Sequence, residues 1–168
     1  SDVCSSDLKM LYDNALFIDL LTTVWRSTSR GEHADGSTSD LFAQRVRETV
    51  AWLLRDMRTP SGAFAASYDA DSDGEEGRYY VWSASEIDRI LGPASAAFRA
   101  AYDVTAAGNW EGQVILNRLQ RPALGARAEE RSLADARAKL LAARAKRQTP
   151  YVDTTLYTSW NADRRGCS

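Results

Sequence analysis

The sequence has few of the residues that build metal, redox or disulfide sites. Its 168 residues include two cysteines, Cys4 and Cys167, and one histidine, His33. The cysteines lie near opposite ends of the sequence and neither belongs to a Cys-x-x-Cys pair. We therefore expect no disulfide framework, no metal site and no cofactor. This cysteine usage favours a reducing compartment, and we expect a cytoplasmic protein.

Long apolar runs and a strong charge of one sign are also missing. No segment approaches the roughly 18–20 apolar residues that span a bilayer, and the opening residues lack the charged-then-apolar pattern of a signal peptide. The formal net charge is −2, so neither nucleic acid nor a membrane is expected as a partner. Basic residues between Arg121 and Arg147 alternate with acids, which is typical of a solvated helix face.

We expect neither end of the chain to be a natural terminus of the protein. Ser1–Leu8, SDVCSSDL, back-translates to a common sequencing-library adapter, and we interpret it as an artefact. Residues 163–168 have no apolar period, and we interpret them as an artefact or a truncated tail. We expect residues 9–162 to be a fragment of a longer domain, with neither cysteine taking part in function.

Apolar periodicity predicts a mainly α protein. It predicts two long helices, Met10–Ser27 and Ser39–Met57, the second of which stops before Pro60. The polar, Gly- and Ser-rich segment between them predicts an antiparallel helical hairpin. The residues expected to be buried in it are Leu11, Ile18, Val46, Val50 and Leu53.

Capping signals predict further helices in the second half of the chain. Ser83 and Glu86 form a capping box before an apolar run. The pair Gly92–Pro93 is predicted to end that helix and to open the next one. The pair Ser132–Asp135 is predicted as a second capping box, at the start of a long final helix.

Two β-prone runs flank an acidic segment. Phe64–Tyr68 and Tyr79–Trp82 are predicted to pair as a β-hairpin whose long tip is Asp69–Gly77. The tip begins like an EF-hand, but the twelfth position counted from Asp69 is Tyr80, which cannot supply the bidentate carboxylate that calcium needs. We therefore disfavour a calcium module. Two interpretations stay open, a carboxylate cluster for acid–base chemistry and a solvated turn.

Four stretches, in this order, resemble one protein family. They are KMLYDNA (Lys9–Ala15), DADSDGEEGRYYVW (Asp69–Trp82), GNWEGQVIL (Gly108–Leu116) and TPYVDTTLYTSWNA (Thr149–Ala162). They resemble the thioredoxin domain-containing proteins of the spermatogenesis-associated protein 20 type. In that family a thioredoxin-like domain precedes a helical domain that resembles the (α/α)6 barrels of N-acylglucosamine 2-epimerase and the six-hairpin glycosidases. The resemblance implies a partial (α/α)6 barrel of helical hairpins with an inserted β-hairpin.

The same resemblance implies a function in carbohydrate metabolism. The leading hypothesis is a sugar-binding or sugar-active domain, glycosidase-like or epimerase-like, and we expect the fragment alone to be inactive. The epimerase relatives use histidines. The one histidine of this sequence, His33, lies in a polar connecting segment and not in a suitable context, which weakens an epimerase assignment. The alternative is a non-enzymatic scaffold or interaction domain of a thioredoxin-like protein.

The candidate site residues follow from these motifs. The catalytic candidates are Asp69 and Asp71, at the start of the acidic tip. The substrate-binding candidates are Asp13, Asn14, Tyr80, Trp82, Asn109, Trp110, Glu111, Trp160 and Asn161. The expected partners are a small sugar, the remainder of the barrel and an N-terminal thioredoxin-like domain.

Overall fold

The fold is described from a computed structural model, which describes residues 8–29 and 36–162. The predictions for Cys4, His33, Cys167 and residues 163–168 lie outside these ranges. The chain forms two compact units. Unit 1 contains the described residues up to Asp71 together with those from Pro150 onward, and unit 2 is Ser72–Thr149.

Helices supply most of the regular structure, which confirms the prediction of a mainly α chain. In chain order the elements are β1 (Lys9–Met10), α1 (Leu11–Thr28), α2 (Gly36–Trp52), a π-helical turn (Leu53–Met57), β2 (Ser67–Tyr68), β3 (Asp71–Ser72), β4 (Glu75–Glu76), α3 (Ala84–Leu91), a 3-10 turn (Gly92–Ala94), α4 (Ser95–Ala101), α5 (Arg127–Arg144), β5 (Val152–Asp153) and α6 (Thr158–Ala162). None of the described helices is long and apolar enough to cross a membrane.

The two long helices of unit 1 form the predicted hairpin. Helix α1 packs against α2. Leu11, at the start of α1, shares a buried cluster with Leu53 and Met57, just beyond the end of α2, which is the arrangement of antiparallel neighbours. Asp13 lies in the first turn of α1 and Arg26 in the last. An acid at the N-terminus and a base at the C-terminus each interact favourably with the helix dipole.

The bounds and burial of the second helix differ from the prediction. Helix α2 begins at Gly36 rather than Ser39, and its last predicted residues, Leu53–Met57, form a π turn. Leu53 is buried as expected, but Val50 is 37% exposed, so its predicted burial is wrong. Trp52, rather than Val50, packs against the buried cluster of Leu11.

A three-stranded antiparallel sheet closes unit 1. Strand β2 lies in the middle, with Met10 of β1 opposite Ser67 and Asp153 of β5 on the other side of Ser67. The predicted pairing of Phe64–Tyr68 with Tyr79–Trp82 is wrong. An alternating pattern identifies extended backbone but does not identify its partner, because strand pairing is decided by residues distant in sequence.

The acidic segment contains a tight hairpin of its own. Strands β3 and β4 pair as a two-stranded sheet. Asp73 and Gly74, between them, have φ of 57° and 78°. Positive φ at both central residues is what the mirror-image turn of a two-residue hairpin requires, and Asp-Gly is one of its preferred sequences. The predicted long tip is therefore a short, regular turn.

Unit 2 is built around its own core. The largest fully buried side chains there are Ile87 of α3, Phe98 of α4 and Val114. The Ser83 hydroxyl accepts a hydrogen bond from the Glu86 amide, at 3.1 Å between Oγ and N, so the predicted cap of α3 is confirmed. These residues pack with further buried side chains of α3, α4 and α5 into one cluster.

The ends of the helices of unit 2 are partly as predicted. Gly92 caps α3, and Pro93 lies in the 3-10 turn that leads into α4, as expected. The second predicted capping box is wrong, since α5 already begins at Arg127 and Ser132 therefore lies inside it. Glu129 and Glu130 occupy its first turn, where acids are favourable to the helix dipole.

Candidate functional site

The first catalytic candidate, Asp69, closes its own turn. Its Oδ1 accepts a hydrogen bond from the Ala70 amide at 2.7 Å, and its own amide donates to the Tyr151 carbonyl oxygen at 2.8 Å. The side chain is half-buried at the end of β2, whereas Asp71, the second candidate, is exposed in β3. Asp69 is thus a positioned carboxylate, and Asp71 is a solvated one.

Two of the remaining acids of the segment, Asp73 and Glu75, lie beside one arginine. Arg78 Nη1 lies 3.3 Å from Asp73 Oδ2 and 3.3 Å from Glu75 Oε1. All three side chains are at least half exposed, so these ion pairs contribute little to stability. Among the described residues there is no group of three His, Cys, Asp or Glu side chains that could hold a metal ion.

The four substrate-binding candidates of unit 1 lie beyond one end of the three-stranded sheet. Helix α1, with Asp13 and Asn14, follows the Met10 end of β1, and α6, with Trp160 and Asn161, follows β5. Because Met10 and Asp153 both pair with Ser67, these helices leave the sheet at the same end. Asp69 follows Tyr68, at the opposite end of β2.

Three aromatic rings at this end form a group that we call the aromatic platform, namely Tyr12, Tyr157 and Trp160. The Trp160 ring centroid lies 5.0 Å from that of Tyr12 and 4.3 Å from that of Tyr157. Tyr12 is 37% exposed and Tyr157 45% exposed. A shallow hollow beside them is lined by residues that include Ala63, Tyr157 and Thr158. Tyr12 and Tyr157 were not among the sequence candidates.

The two asparagines among these candidates are used by the fold itself. Asn161 Oδ1 accepts from the Phe64 amide at 2.8 Å and its Nδ2 donates to the Phe64 carbonyl oxygen at 3.2 Å, as a neighbouring strand would do. Asn14 Nδ2 donates to the Met10 carbonyl oxygen at 2.7 Å. Asp13 is exposed. Of the four, Asp13 and Trp160 offer side-chain groups that are not committed to backbone hydrogen bonds.

The candidates of the GNWEGQVIL motif stabilise a hairpin in unit 2. Asn109 exchanges two hydrogen bonds with the backbone of Ile115, at 2.8 Å from Oδ1 and 3.0 Å from Nδ2. Trp110 and Gln113 exchange backbone hydrogen bonds around a turn in which Glu111 has φ of 46°. The spacing of this motif is therefore explained by local backbone geometry, and Glu111 remains exposed at the turn.

Tyr80 and Trp82, the last two candidates, lie beneath two arginines that the sequence did not single out. The Arg144 guanidinium carbon is 5.3 Å from the Tyr80 ring centroid, and that of Arg147 is 4.1 Å from the Trp82 ring centroid. Trp82 is buried in the core of unit 2. Arg147 also pairs with Glu86, with Nη2 at 2.9 and 3.0 Å from the two carboxylate oxygens. Its Nη1 donates to the carbonyl oxygens of Arg78, Tyr79 and Val81.

A second arginine network in unit 2 is more deeply enclosed. Arg118 and Glu130 form a two-pronged ion pair, with N–O distances of 3.0 and 2.9 Å and side chains only 10% and 13% exposed. The hydrogen bonds from Arg118 lower the pKa of Glu130, and the amide of Gly125 lowers it further, against burial, which raises it. The pKa of Arg118 is correspondingly raised by Glu130. No local sequence signal identifies this pair, which joins a loop to α5.

Comparison with known proteins finds a distant relationship. No protein-family model matches the chain. It is 25% identical to spermatogenesis-associated protein 20 of Homo sapiens over an alignment of 186 residues, which covers 91% of this chain and 22% of the human protein. With the Mus musculus protein of the same name it shares 29% identity over 89 residues, covering 49% of this chain and 10% of the mouse protein. The chain thus spans 22% of the length of the human protein. Its similarity to spermatogenesis-associated protein 20 is distant.

Proposed function

We propose that the chain is part of a carbohydrate-binding (α/α)6 domain in a longer protein, and that the aromatic platform binds the sugar. The observation that carries this proposal is the ring cluster in which exposed Tyr12 and Tyr157 pack on half-buried Trp160, with Tyr157 lining a hollow. The distant similarity to spermatogenesis-associated protein 20 agrees with the resemblance of the four sequence stretches to that type of protein. This similarity does not itself carry the proposal of sugar binding.

The platform has the two kinds of groups that sugar recognition uses. A pyranose ring presents an apolar face of C–H groups, which packs on an aromatic ring, and a rim of hydroxyls, which need polar partners. Tyr157 offers an exposed ring face, and Asp13, exposed in the first turn of α1 and next in sequence to Tyr12, offers a carboxylate. Thr158 adds a hydroxyl at the hollow. We infer a monosaccharide or a terminal sugar as the ligand.

Asp69 and Asp71 remain proposed catalytic residues, in a role separate from the platform. The register of β2 supports this separation, because Asp69 follows the end of the strand that is away from α1 and α6. A reaction at Asp69 would use groups other than the platform, from this chain or from elsewhere in the longer protein. We propose that the remaining hairpins of the barrel and a thioredoxin-like domain lie in that longer protein, and that it is cytoplasmic.

The test is a sugar screen on the full chain with matched tyrosine variants. Saturation-transfer NMR with glucose, mannose, N-acetylglucosamine and N-acetylmannosamine should detect at least one ligand. Tyr157→Ala should weaken it about tenfold, since an aromatic contact contributes roughly 0.5–1.5 kcal/mol beyond the buried area. Tyr151→Ala is the control, because Tyr151 is 72% exposed and lies outside the platform.

The outcomes separate the platform from other sites. A sugar that binds wild type and Tyr151→Ala equally, but Tyr157→Ala weakly, supports the platform. If no sugar in the panel binds, or if Tyr157→Ala binds as wild type does, the proposal is wrong. A ligand lost on Asp69→Asn and kept in Tyr157→Ala would move the site to the acidic segment.

A further inference from the structure

Arg144, in the last turn of α5, packs against two tyrosine rings. Its guanidinium carbon lies 5.1 Å from the Tyr79 ring centroid and 5.3 Å from that of Tyr80. The two rings are perpendicular to each other, with centroids 5.0 Å apart, and the cation lies over both. All three side chains are half-buried. We call Arg144, Tyr79 and Tyr80 the Arg144 site.

Arg144 differs from the other half-buried arginines of unit 2, all of which the structure describes. Each of the others donates a hydrogen bond to a side chain of the unit; they are Arg99, Arg118, Arg137 and Arg147. Arg144 forms no ion pair and no hydrogen bond with the described residues, and its contacts there are with the two rings. Its positive charge is therefore left without a counter-charge.

The Nε atom of Arg144 is also without an acceptor. Among the described residues, two enclosed side-chain nitrogens lack one, Nε of Arg118 and Nε of Arg144. The Arg118 guanidinium is compensated, because its terminal nitrogens bind both carboxylate oxygens of Glu130 and the Ala123 carbonyl oxygen. Arg144 has no such compensation. An enclosed polar group of this kind in a native protein requires an explanation, and a bound ion is one.

The tyrosine rings position the cation but do not satisfy its donors. A ring face attracts a guanidinium through the ring quadrupole. The N–H groups of the guanidinium still need oxygen acceptors, and a carboxylate accepts two of them in parallel. Because Nε of Arg144 is enclosed, the edge formed by Nη1 and Nη2 is the one that an acceptor can reach.

The charges around the site fit a ligand with one negative charge. Arg147 commits its terminal nitrogens to Glu86 and to backbone carbonyl oxygens. Arg78 pairs with two acids of the β3–β4 hairpin. The Arg144 site thus contains a single uncompensated positive charge. A carboxylate neutralises it, whereas a phosphate monoester carries a charge of about −2 and needs a second base.

We propose that Arg144 binds a carboxylate through Nη1 and Nη2, and that Tyr79 and Tyr80 hold the guanidinium in place. The carboxylate belongs either to a small molecule or to an acidic side chain of the longer protein, of which this chain is a part. Tyr80, a substrate-binding candidate from the sequence, is a positioning residue in this site. The Arg144 site lies within unit 2, so the proposal does not depend on sugar binding at the aromatic platform.

Benzoate and benzamide test the proposal on the full chain. The two molecules have nearly the same shape, and only benzoate is charged. In amide NMR spectra, benzoate should shift the resonances of Arg144, Tyr79 and Tyr80, and should bind at least about tenfold more tightly than benzamide. The difference should shrink at high salt. This comparison uses the wild-type protein, so it does not depend on the folding of any variant.

Two substitutions with the same change in charge locate the binding. Arg144→Gln should weaken benzoate binding at least about tenfold. Lys146→Gln, at an exposed base just beyond the end of α5, is the control and should leave benzoate binding unchanged. Arg144→Lys keeps the charge but loses the two parallel donors, and should weaken binding about threefold or more. Circular dichroism checks folding, and Arg144→Lys replaces Arg144→Gln if the latter is not folded.

Four results would overturn the proposal. They are equal binding of benzoate and benzamide, benzoate binding that Arg144→Gln leaves unchanged, the absence of shifts at the Arg144 site up to about 50 mM benzoate, and inorganic phosphate binding there more tightly than benzoate. The fourth result would assign the site to a phosphate group instead.

The same titration of the longer protein identifies the source of the carboxylate. Benzoate affinity equal to that of this chain would support a small-molecule ligand. Affinity at least about tenfold weaker would support an acid of the longer polypeptide that already occupies the Arg144 site.

Discussion

Removing the acid of the Arg118–Glu130 pair should destabilise unit 2 strongly. Arg118 donates to both carboxylate oxygens of Glu130 and to the Ala123 carbonyl oxygen, and the Gly125 amide donates to Glu130 at 2.9 Å. Glu130→Leu removes the acceptor for three of these four hydrogen bonds. It leaves the Arg118 guanidinium enclosed without its counter-charge, beside the ring of Tyr102 at 5.8 Å.

The magnitude follows from the exposure of the two side chains. Leaving one partner of a fully buried pair without the other costs about 3–5 kcal/mol. Because the side chains of Arg118 and Glu130 remain 10% and 13% exposed, water can reach part of the charge, and we expect about 2–4 kcal/mol. Asp135→Leu, at an exposed acid of α5 beyond its first turn, is the control and should change the free energy of unfolding by less than about 0.5 kcal/mol.

A double-mutant cycle separates the pair from the loss of either residue. Urea unfolding, followed by circular dichroism, gives the free energies for Arg118→Met, Glu130→Leu and the double variant. The double variant should be more stable than the sum of the single losses predicts, by at least about 1.5 kcal/mol, because it leaves no unpaired charge. Additivity within about 0.5 kcal/mol would show that the ion pair does not couple the loop to α5, and would refute this reasoning.

The Arg118–Glu130 pair should also make the stability of the protein depend on pH. The folded pKa of Glu130 lies below its ordinary value because the Arg118 hydrogen bonds favour the carboxylate. The stabilisation is therefore complete above the unfolded pKa, about 4.3, and is lost as the pH falls through the lower folded pKa. The stability difference between wild type and Glu130→Gln should shrink below about pH 4. A difference that stays constant down to pH ~2 would show that the carboxylate charge contributes nothing.

Three further substitutions in unit 2 are checked by the same urea unfolding. Arg147→Lys keeps the charge but loses the planar guanidinium that binds Glu86 and three carbonyl oxygens. It should lower the free energy of unfolding by about 1–3 kcal/mol. An unchanged free energy of unfolding would mean that the positive charge alone is enough. Ser83→Ala removes the cap of α3 and should cost about 1 kcal/mol, whereas Ser83→Asp should not. Gly108→Ala places a Cβ 2.3 Å from the Gln113 carbonyl oxygen at φ of +73°, and should cost at least about 1–3 kcal/mol; a smaller loss would mean that the turn relaxes cheaply.

The helices were predictable because their signals are local. The period of α1 and the Ser83 cap of α3 lie within a few residues of the structure that they determine, and both were recognised. The turn at Asp73–Gly74 has an equally local signal, since Asp-Gly is a preferred hairpin turn. It was overlooked because the acids on either side resembled a metal loop.

The sheet and the arginine networks were not predictable in the same way. Ser67 pairs with Met10 and Asp153, which are far from it in sequence, so no short window reveals the partners. Arg147 resembles any basic residue after a helix, and only the folded chain brings its guanidinium over Trp82. Trp160 was selected from its motif, but the exposed rings that accompany it come from α1 and from Tyr157.

The last prediction concerns Asp69, whose carboxylate either closes a turn or also binds a ligand. Asn offers the same oxygen to the Ala70 amide, so Asp69→Asn should keep the free energy of unfolding within about 0.5 kcal/mol, while Asp69→Ala should lose about 1 kcal/mol. Asn cannot exchange a proton, so a catalytic Asp69 would lose about 100-fold or more of any activity in the longer protein on Asp69→Asn. Asp71→Asn, at an exposed carboxylate, is the comparison. Unchanged activity in Asp69→Asn would make Asp69 a turn residue only, and calcium that raises the melting temperature of wild type but not of Asp69→Asn would instead make it a metal ligand.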